Sequence, residues 1–143
     1  MSQLTLGYGG LASNAILGVP ADGSIIANWD AVTPLQGTPL QTTPDKVAGT
    51  ITTTQQGTYT VDFSANISAL TSNQDYDFRI NLNGVDRKYG GLVGGSNSVD
   101  SQSLSFSILV TVGTGAVIGI SVLSGGGGTF TINSASLTVT RIG

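Results

Sequence analysis

The sequence predicts an all-β fold, an antiparallel sandwich or jelly roll, and three observations carry the prediction. From Thr50 onward apolar residues fall at alternate positions, the period of a strand with one buried face. No window holds a 3.6-residue apolar period long enough for a helix, and Glu, a strong helix former, is absent. Gly-rich and Asn-Gly punctuation divides the apolar runs at roughly ten-residue spacing, as in sandwiches.

Residues 1–46 differ from the rest. Short apolar pieces, Gln3 to Leu6, Ala15 to Val19 and Ile25 to Trp29, lie between Gly-rich turns and Pro34, Pro39 and Pro44. This stretch is expected to be an extended N-terminal arm or, alternatively, the first edge strands of the sandwich; residues 47–143 then form the jelly-roll domain. A chain of 143 residues suits one domain with one core.

The clearest strand is Gly57 to Ile67, with Tyr59, Val61, Phe63, Ala65 and Ile67 inward and Thr58, Thr60, Asp62, Ser64 and Asn66 outward. Asp75 to Gly84 repeats the rule: Tyr76, Phe78, Ile80 and Leu82 share one face, and the run stops at Asn83-Gly84, a hairpin-turn signal. In Ser103 to Val112, Ser103, Ser105 and Ser107 alternate with Leu104, Phe106, Ile108, Val110 and Val112. Ala116 to Leu123 is apolar on both faces, which predicts a strand covered on both sides. After the glycines at 125–128, Thr129 to Asn133 and Ala135 to Ile142 read as two closing strands.

Composition excludes much chemistry. Cys and His are absent, so there is no Ser-His-Asp triad, thiolate nucleophile, disulfide, or ordinary zinc, copper or haem site. An ordinary hydrolase or redox enzyme is not expected, and neither is a cofactor. Only 9% of residues are charged and the formal charge is −3, which argues against nucleic acid as a partner. No stretch approaches the roughly 20 continuous apolar residues of a membrane span, and the N-terminus lacks the basic start and apolar run of a secretory signal. No membrane partner is expected.

Several clusters have a chemical and a plain reading. Asp75 and Asp77, beside Arg79 on one strand face, are the residue types of acid and base work, but cross-strand charge pairing explains them better. Asp22, Asp45 or Asp100 could join a calcium site, yet no Asp-x-Asp-x-Asp-Gly loop is present. Gly90, Gly91, Gly94 and Gly95 lack the Gly-Lys-Ser/Thr and following helix of a phosphate loop and read as a flexible surface loop. Arg87, Lys88 and Tyr89, with Asn81, Asn83 and Asp86 nearby, are candidates for a glycan or an acidic protein patch, against a solvated hairpin end. Tyr8 and Trp29 are candidate anchors to a partner, against a Trp that closes one end of the core.

The order of signals resembles the tumour-necrosis-factor-like and complement-globular-head superfamily of jelly rolls. Gly57-Thr-Tyr-Thr-Val-Asp-Phe-Ser64 is similar to that family's Gly-x-Tyr-x-Phe-Ser strand, and Ile80-Asn-Leu-Asn-Gly84 to its strand ending in Asn-Gly. The Ser-rich strand, the Gly turn, Ala116 to Leu123 and the terminal Phe130 to Ile142 follow in the family's order, although Gly113-Thr114 stands where the family usually has Gly followed by an acidic residue. The resemblance implies a non-enzymatic homotrimer, with aromatic residues of neighbouring subunits meeting along a three-fold axis. Tyr59, Phe63, Tyr76, Phe78 and Phe106 are mostly core by their alternation, with one or two left for that axis. With the Gly-, Ser- and Thr-rich composition, the expectation is a virion structural protein, a capsid decoration or cement protein of a bacteriophage. It would be made in host cytoplasm, sit on the capsid surface and bind the major capsid protein or another virion protein. The alternative is a receptor- or glycan-binding module at a fibre tip or on a cell or spore surface.

Overall fold

Alternation places one face of each strand in the core, and the fold follows from bringing those faces together. The computed structural model describes residues 7–13, 25–68, 74–87, 92–95, 102–124 and 131–143. Their strands are β1 (Tyr8–Ser13), β2 (Ala31–Thr33), β3 (Thr42–Asp45), β4 (Thr50–Thr53), β5 (Gly57–Ser68) and β6 (Gln74–Leu82). β7 (Val85–Arg87), β8 (Leu92–Gly95), β9 (Gln102–Val112), β10 (Val117–Ser124) and β11 (Thr131–Arg141) complete them. One antiparallel sheet runs β2-β1-β11-β5-β9 and the other β3-β4-β10-β6-β7, with β8 beside β7 on the same margin of β6. All-β architecture with two facing sheets is as the sequence predicted.

The inner faces supply the core. Tyr59, Val61, Phe63 and Ile67 from β5 meet Tyr76, Phe78 and Ile80 from β6 and Ile118, Ile120 and Val122 from β10, all buried. Phe63 stacks on Phe78 with ring centroids 5.8 Å apart and tilts against Phe106 at 5.4 Å. The Asn83-Gly84 turn has φ of 53° and 84°, the two positive values that a tight two-residue hairpin requires. The doubly apolar segment becomes β10, between β4 and β6. Its outer side is covered too: Ser121 is fully buried, and Ile25 Cγ2 lies 3.1 Å from where a side chain at Gly119 would begin.

Three expectations are corrected. The described part of residues 1–46 follows the edge-strand alternative and not the arm: β2 and β3 each form one edge of a sheet, while β1 lies inside its sheet between β2 and β11, with Leu11 fully buried. Its strands are three to six residues long, and the central one, β1, is held by β11 from more than a hundred positions away, as in Tyr8 with Thr140, while β2 pairs with β1 and β3 with β4. The two closing strands are one, β11, with a register shift between Ile132 and Ser134. The extra residue, Asn133, breaks the alternation, and its amide donates to Asn66 Oδ1 at 2.9 Å and to Ser68 Oγ at 3.0 Å. Gly94 and Gly95 pair with Asp75 and Gln74 in β8 instead of lying in a loop; Gly90 and Gly91 are outside the described residues.

Candidate functional surface

The residues singled out by sequence do not converge. Trp29 is 4% exposed and its indole donates to the Ile26 carbonyl at 2.9 Å, so it closes one end of the core and offers a partner nothing. Tyr8 is exposed on the outer face of the five-stranded sheet. Arg87 is exposed at the end of β7, on the margin of the other sheet. Lys88 and Tyr89 lie outside the described residues. Of the proposed axis-lining aromatics, Tyr59, Phe63, Tyr76 and Phe78 are core, and Phe106 is half-buried against them.

The carboxylates are occupied by structure. Asp77 Oδ2 accepts from Arg79 Nε at 2.8 Å on the outer face of β6, an ion pair within one strand where a cross-strand pair was expected. Asp45 Oδ1 accepts the amides of Val47 and Ala48 at 3.0 and 3.1 Å, closing the β3–β4 turn. Asp22 and Asp100 lie outside the described residues, as does the Asp75 side chain. Among the described residues no three His, Cys, Asp or Glu side chains gather as metal ligands.

Of the hairpin offered as a sugar site, Asn81, Asn83 and Asp86 use their polar groups internally. Asp86 Oδ1 accepts from Ser121 Oγ at 2.6 Å and from Asn81 Nδ2 at 2.8 Å. Asn81 Oδ1 accepts the Gly84 amide at 3.1 Å, and Asn83 Oδ1 the Val117 amide at 2.8 Å. The Ser121 hydrogen bond holds the Asp86 carboxyl below its usual pKa; partial burial opposes it, and the Asn81 amide and the Arg79 charge add to the lowering. A carboxyl with a depressed folded pKa contributes stability that is complete above its unfolded value, about 3.9, and is lost as pH falls through the folded value. Asp86→Ala, which removes the acceptor of the buried Ser121 hydroxyl, is expected to cost about 1–3 kcal/mol near neutral pH. In thermal melts from pH 7 to pH 2, the gap to the wild-type protein should be constant above about pH 5 and shrink below about pH 4.

What remains open is the outer face of the five-stranded sheet. Strand register places Gly10, Thr138, Asp62 and Ser107 in one row across it and Ala12, Ser136, Ser64 and Ser105 in the next. Tyr8, Thr140, Thr60 and Leu109 form a third row. Apart from the exposed Tyr8 and Leu109 in the third row, the side chains are small and mostly hydroxylated, Asp62 is the single charge among the outward positions of these strands, and an open groove of about 480 Å³ crosses the Ser64 row. Sequence reasoning recorded this polar face strand by strand but assigned it no role; the signal was its lack of charge. Such a face holds no acid–base pair or nucleophile and base. It can bind another surface.

No protein-family model and no curated protein matches the sequence. Solved structures do match the fold. The globular domain of zebrafish complement 1qA protein aligns over 97% of this chain and 98% of its own, with a TM-score of 0.71 and 14% identity. Eiger TNF from S. frugiperda aligns over 96% of this chain and 93% of its own, with a TM-score of 0.73 and 8% identity. The likeness therefore extends over the first 46 residues as well, beyond the part of the chain that carries the sequence motifs. The chain has the tumour-necrosis-factor-like, complement-globular-head type of jelly-roll fold.

Proposed function

We propose that this chain is a non-enzymatic structural module that assembles as a homotrimer and decorates a bacteriophage capsid, where it binds the major capsid protein or another virion protein. The observation that carries the reading is the wide, almost uncharged hydroxyl face of the five-stranded sheet, which suits contact with protein and lacks catalytic groups. At about 4.8 Å between strands and about 3.3 Å per residue, five strands of mean length near nine present about 700 Å², close to the ~800 Å² per partner of a standard stable interface. The low charge of the whole chain, 9%, supports a life in a crowded assembly. Synthesis in the host cytoplasm and residence on the capsid surface belong to the same proposal. Three linked copies bind a lattice with avidity, so weak single contacts suffice for attachment.

Light scattering on the purified protein is expected to give three times 14.4 kDa, and the trimer to co-sediment with capsids of the virus that encodes it. A 14.4 kDa species at all concentrations overturns the trimer. A trimer that never travels with particles overturns the decoration role.

A further inference from the structure

Asn83 is the one asparagine of the chain that is followed by glycine, and both residues of this turn are exposed. An asparagine amide before glycine is open to attack by the next backbone nitrogen, because glycine has no side chain to crowd that nitrogen. Around Gly84 the space is clear as well: an added side-chain carbon would meet nothing within 4 Å. Yet each reacting group is turned to a different partner. Asn83 forms a reciprocal pair with the first residue of β10: its N–H donates to the Val117 carbonyl at 2.9 Å, and the Val117 amide donates to Asn83 Oδ1 at 2.8 Å. The Gly84 N–H donates to Asn81 Oδ1 at 3.1 Å. Asn81 is itself fixed, since it is buried and its Nδ2 donates to Asp86 Oδ1, which also accepts from the Ser121 hydroxyl.

We infer that Asn83-Gly84 is a modification site, a turn that converts itself to aspartate and isoaspartate through a succinimide, and that Asn81 and Val117 hold it unreacted while the β6–β7 turn is closed. The Gly84 nitrogen gives its proton to a solvent base and attacks Asn83 Cγ. A bond forms between those two atoms, the bond from Cγ to Nδ2 breaks, and Nδ2 leaves as ammonia with a proton from water. Water then adds to either carbonyl of the cyclic succinimide and opens it to aspartate or isoaspartate; nothing is oxidised or reduced. The closed turn blocks both ends of this reaction. The Gly84 proton is engaged by Asn81 instead of a solvent base, and Asn83 Cγ cannot swing to Gly84 without giving up Val117. Opening breaks both hydrogen bonds, each worth a factor of about two to ten. The products differ in consequence. Aspartate keeps an oxygen for the Val117 amide, whereas isoaspartate puts an extra carbon into the backbone of a turn that two positive φ values define, and the reciprocal pair with Val117 is lost.

The test is incubation at mildly alkaline pH of the wild-type protein, folded and in urea, and of folded Asn81→Ala and Phe63→Leu. Peptides carrying succinimide, aspartate and isoaspartate are separated by chromatography and counted by mass spectrometry. Modification is expected at Asn83 ahead of every other asparagine, at least about tenfold faster in urea than in the folded protein, and about two- to tenfold faster in Asn81→Ala than in the folded wild type. Phe63→Leu loosens the core away from the turn and is expected to leave the rate within about twofold, because the opening is local. Should Asn81→Ala not fold, the ratio of the urea and folded rates of the wild-type protein decides. Equal rates folded and in urea overturn the protection by the closed turn. An acceleration in Phe63→Leu that matches Asn81→Ala places the gate in global unfolding and overturns the part given to Asn81. An Asn83 that stays unmodified in urea overturns the site itself.

Discussion

Phe63→Ala is expected to lower the free energy of unfolding by about 3–5 kcal/mol, the usual cost of emptying a buried phenylalanine site. Phe63 is 2% exposed and sits where the two sheets meet, stacked on Phe78 from the opposite sheet and tilted against Phe106 from the neighbouring strand. Its neighbours across the ladder are Leu137 of β11 and Phe106 of β9, and Phe78 faces it from the other sheet, so the vacated space is bounded by strands of both sheets that cannot collapse without breaking register. A domain of this size is stable by only about 5–15 kcal/mol, so the substitution removes a large share. Urea titration followed by circular dichroism measures it as a fall in midpoint at constant slope. Phe63→Leu keeps most of the volume and should lose less than half as much. Equal losses for the two variants would show that the aromatic stack, and not the filled volume, sets the cost.

Gly49→Ala is expected to cost about 3 kcal/mol or more and to shift the emission of Trp29 to the red. Gly49 has φ of +76°, a conformation that costs a side-chain-bearing residue about 1–2 kcal/mol. Beyond that strain, an added methyl would run into the Ile26 carbonyl oxygen, which is backbone and cannot rotate away. That carbonyl accepts the Trp29 indole N–H, and the Lys46 and Val47 carbonyls of the same turn accept the amides of Trp29 and Asn28. The turn and the Ile26 to Trp29 segment are one fitted unit, and pushing them apart admits water to the indole. Trp29 is the only tryptophan, so fluorescence reads this site alone. Gly113→Ala is the control: its added carbon meets nothing within 4 Å, and neither stability nor emission should move. An unshifted emission in Gly49→Ala would mean that the Ile26 segment moves aside without exposing Trp29.

The strands with strong alternation were legible because period-two patterning is local: Tyr59 to Ile67 and Tyr76 to Leu82 declare their buried faces without reference to any partner. The Asn83-Gly84 turn was legible for the same reason, since two positive φ values are a property of the dipeptide itself. The absence of His and Cys likewise removed whole classes of chemistry before any folding was considered.

Pairing is not local, and there the tertiary structure decided. Tyr8–Ser13 is too short and glycine-rich to announce a strand, yet it fills the gap between β2 and β11 because β11 offers an unpaired edge and Leu11 completes the core. Trp29 could anchor a partner or close a core, and only the position of Ile26 beside β10 chose the second. Asp86 and Ser121, 35 residues apart, could be joined only once β6 lay between β7 and β10. The same holds for the candidate surface: each strand contributed a few hydroxyls that meant little alone, and sheet order assembled them into one neutral face with Asp62 within it. Sequence by itself determined which side of each strong strand avoids water, because that is a contest between a side chain and its solvent. Which strands became neighbours depended on how all the buried sides could be covered at once, a condition on the whole chain that no single segment carries.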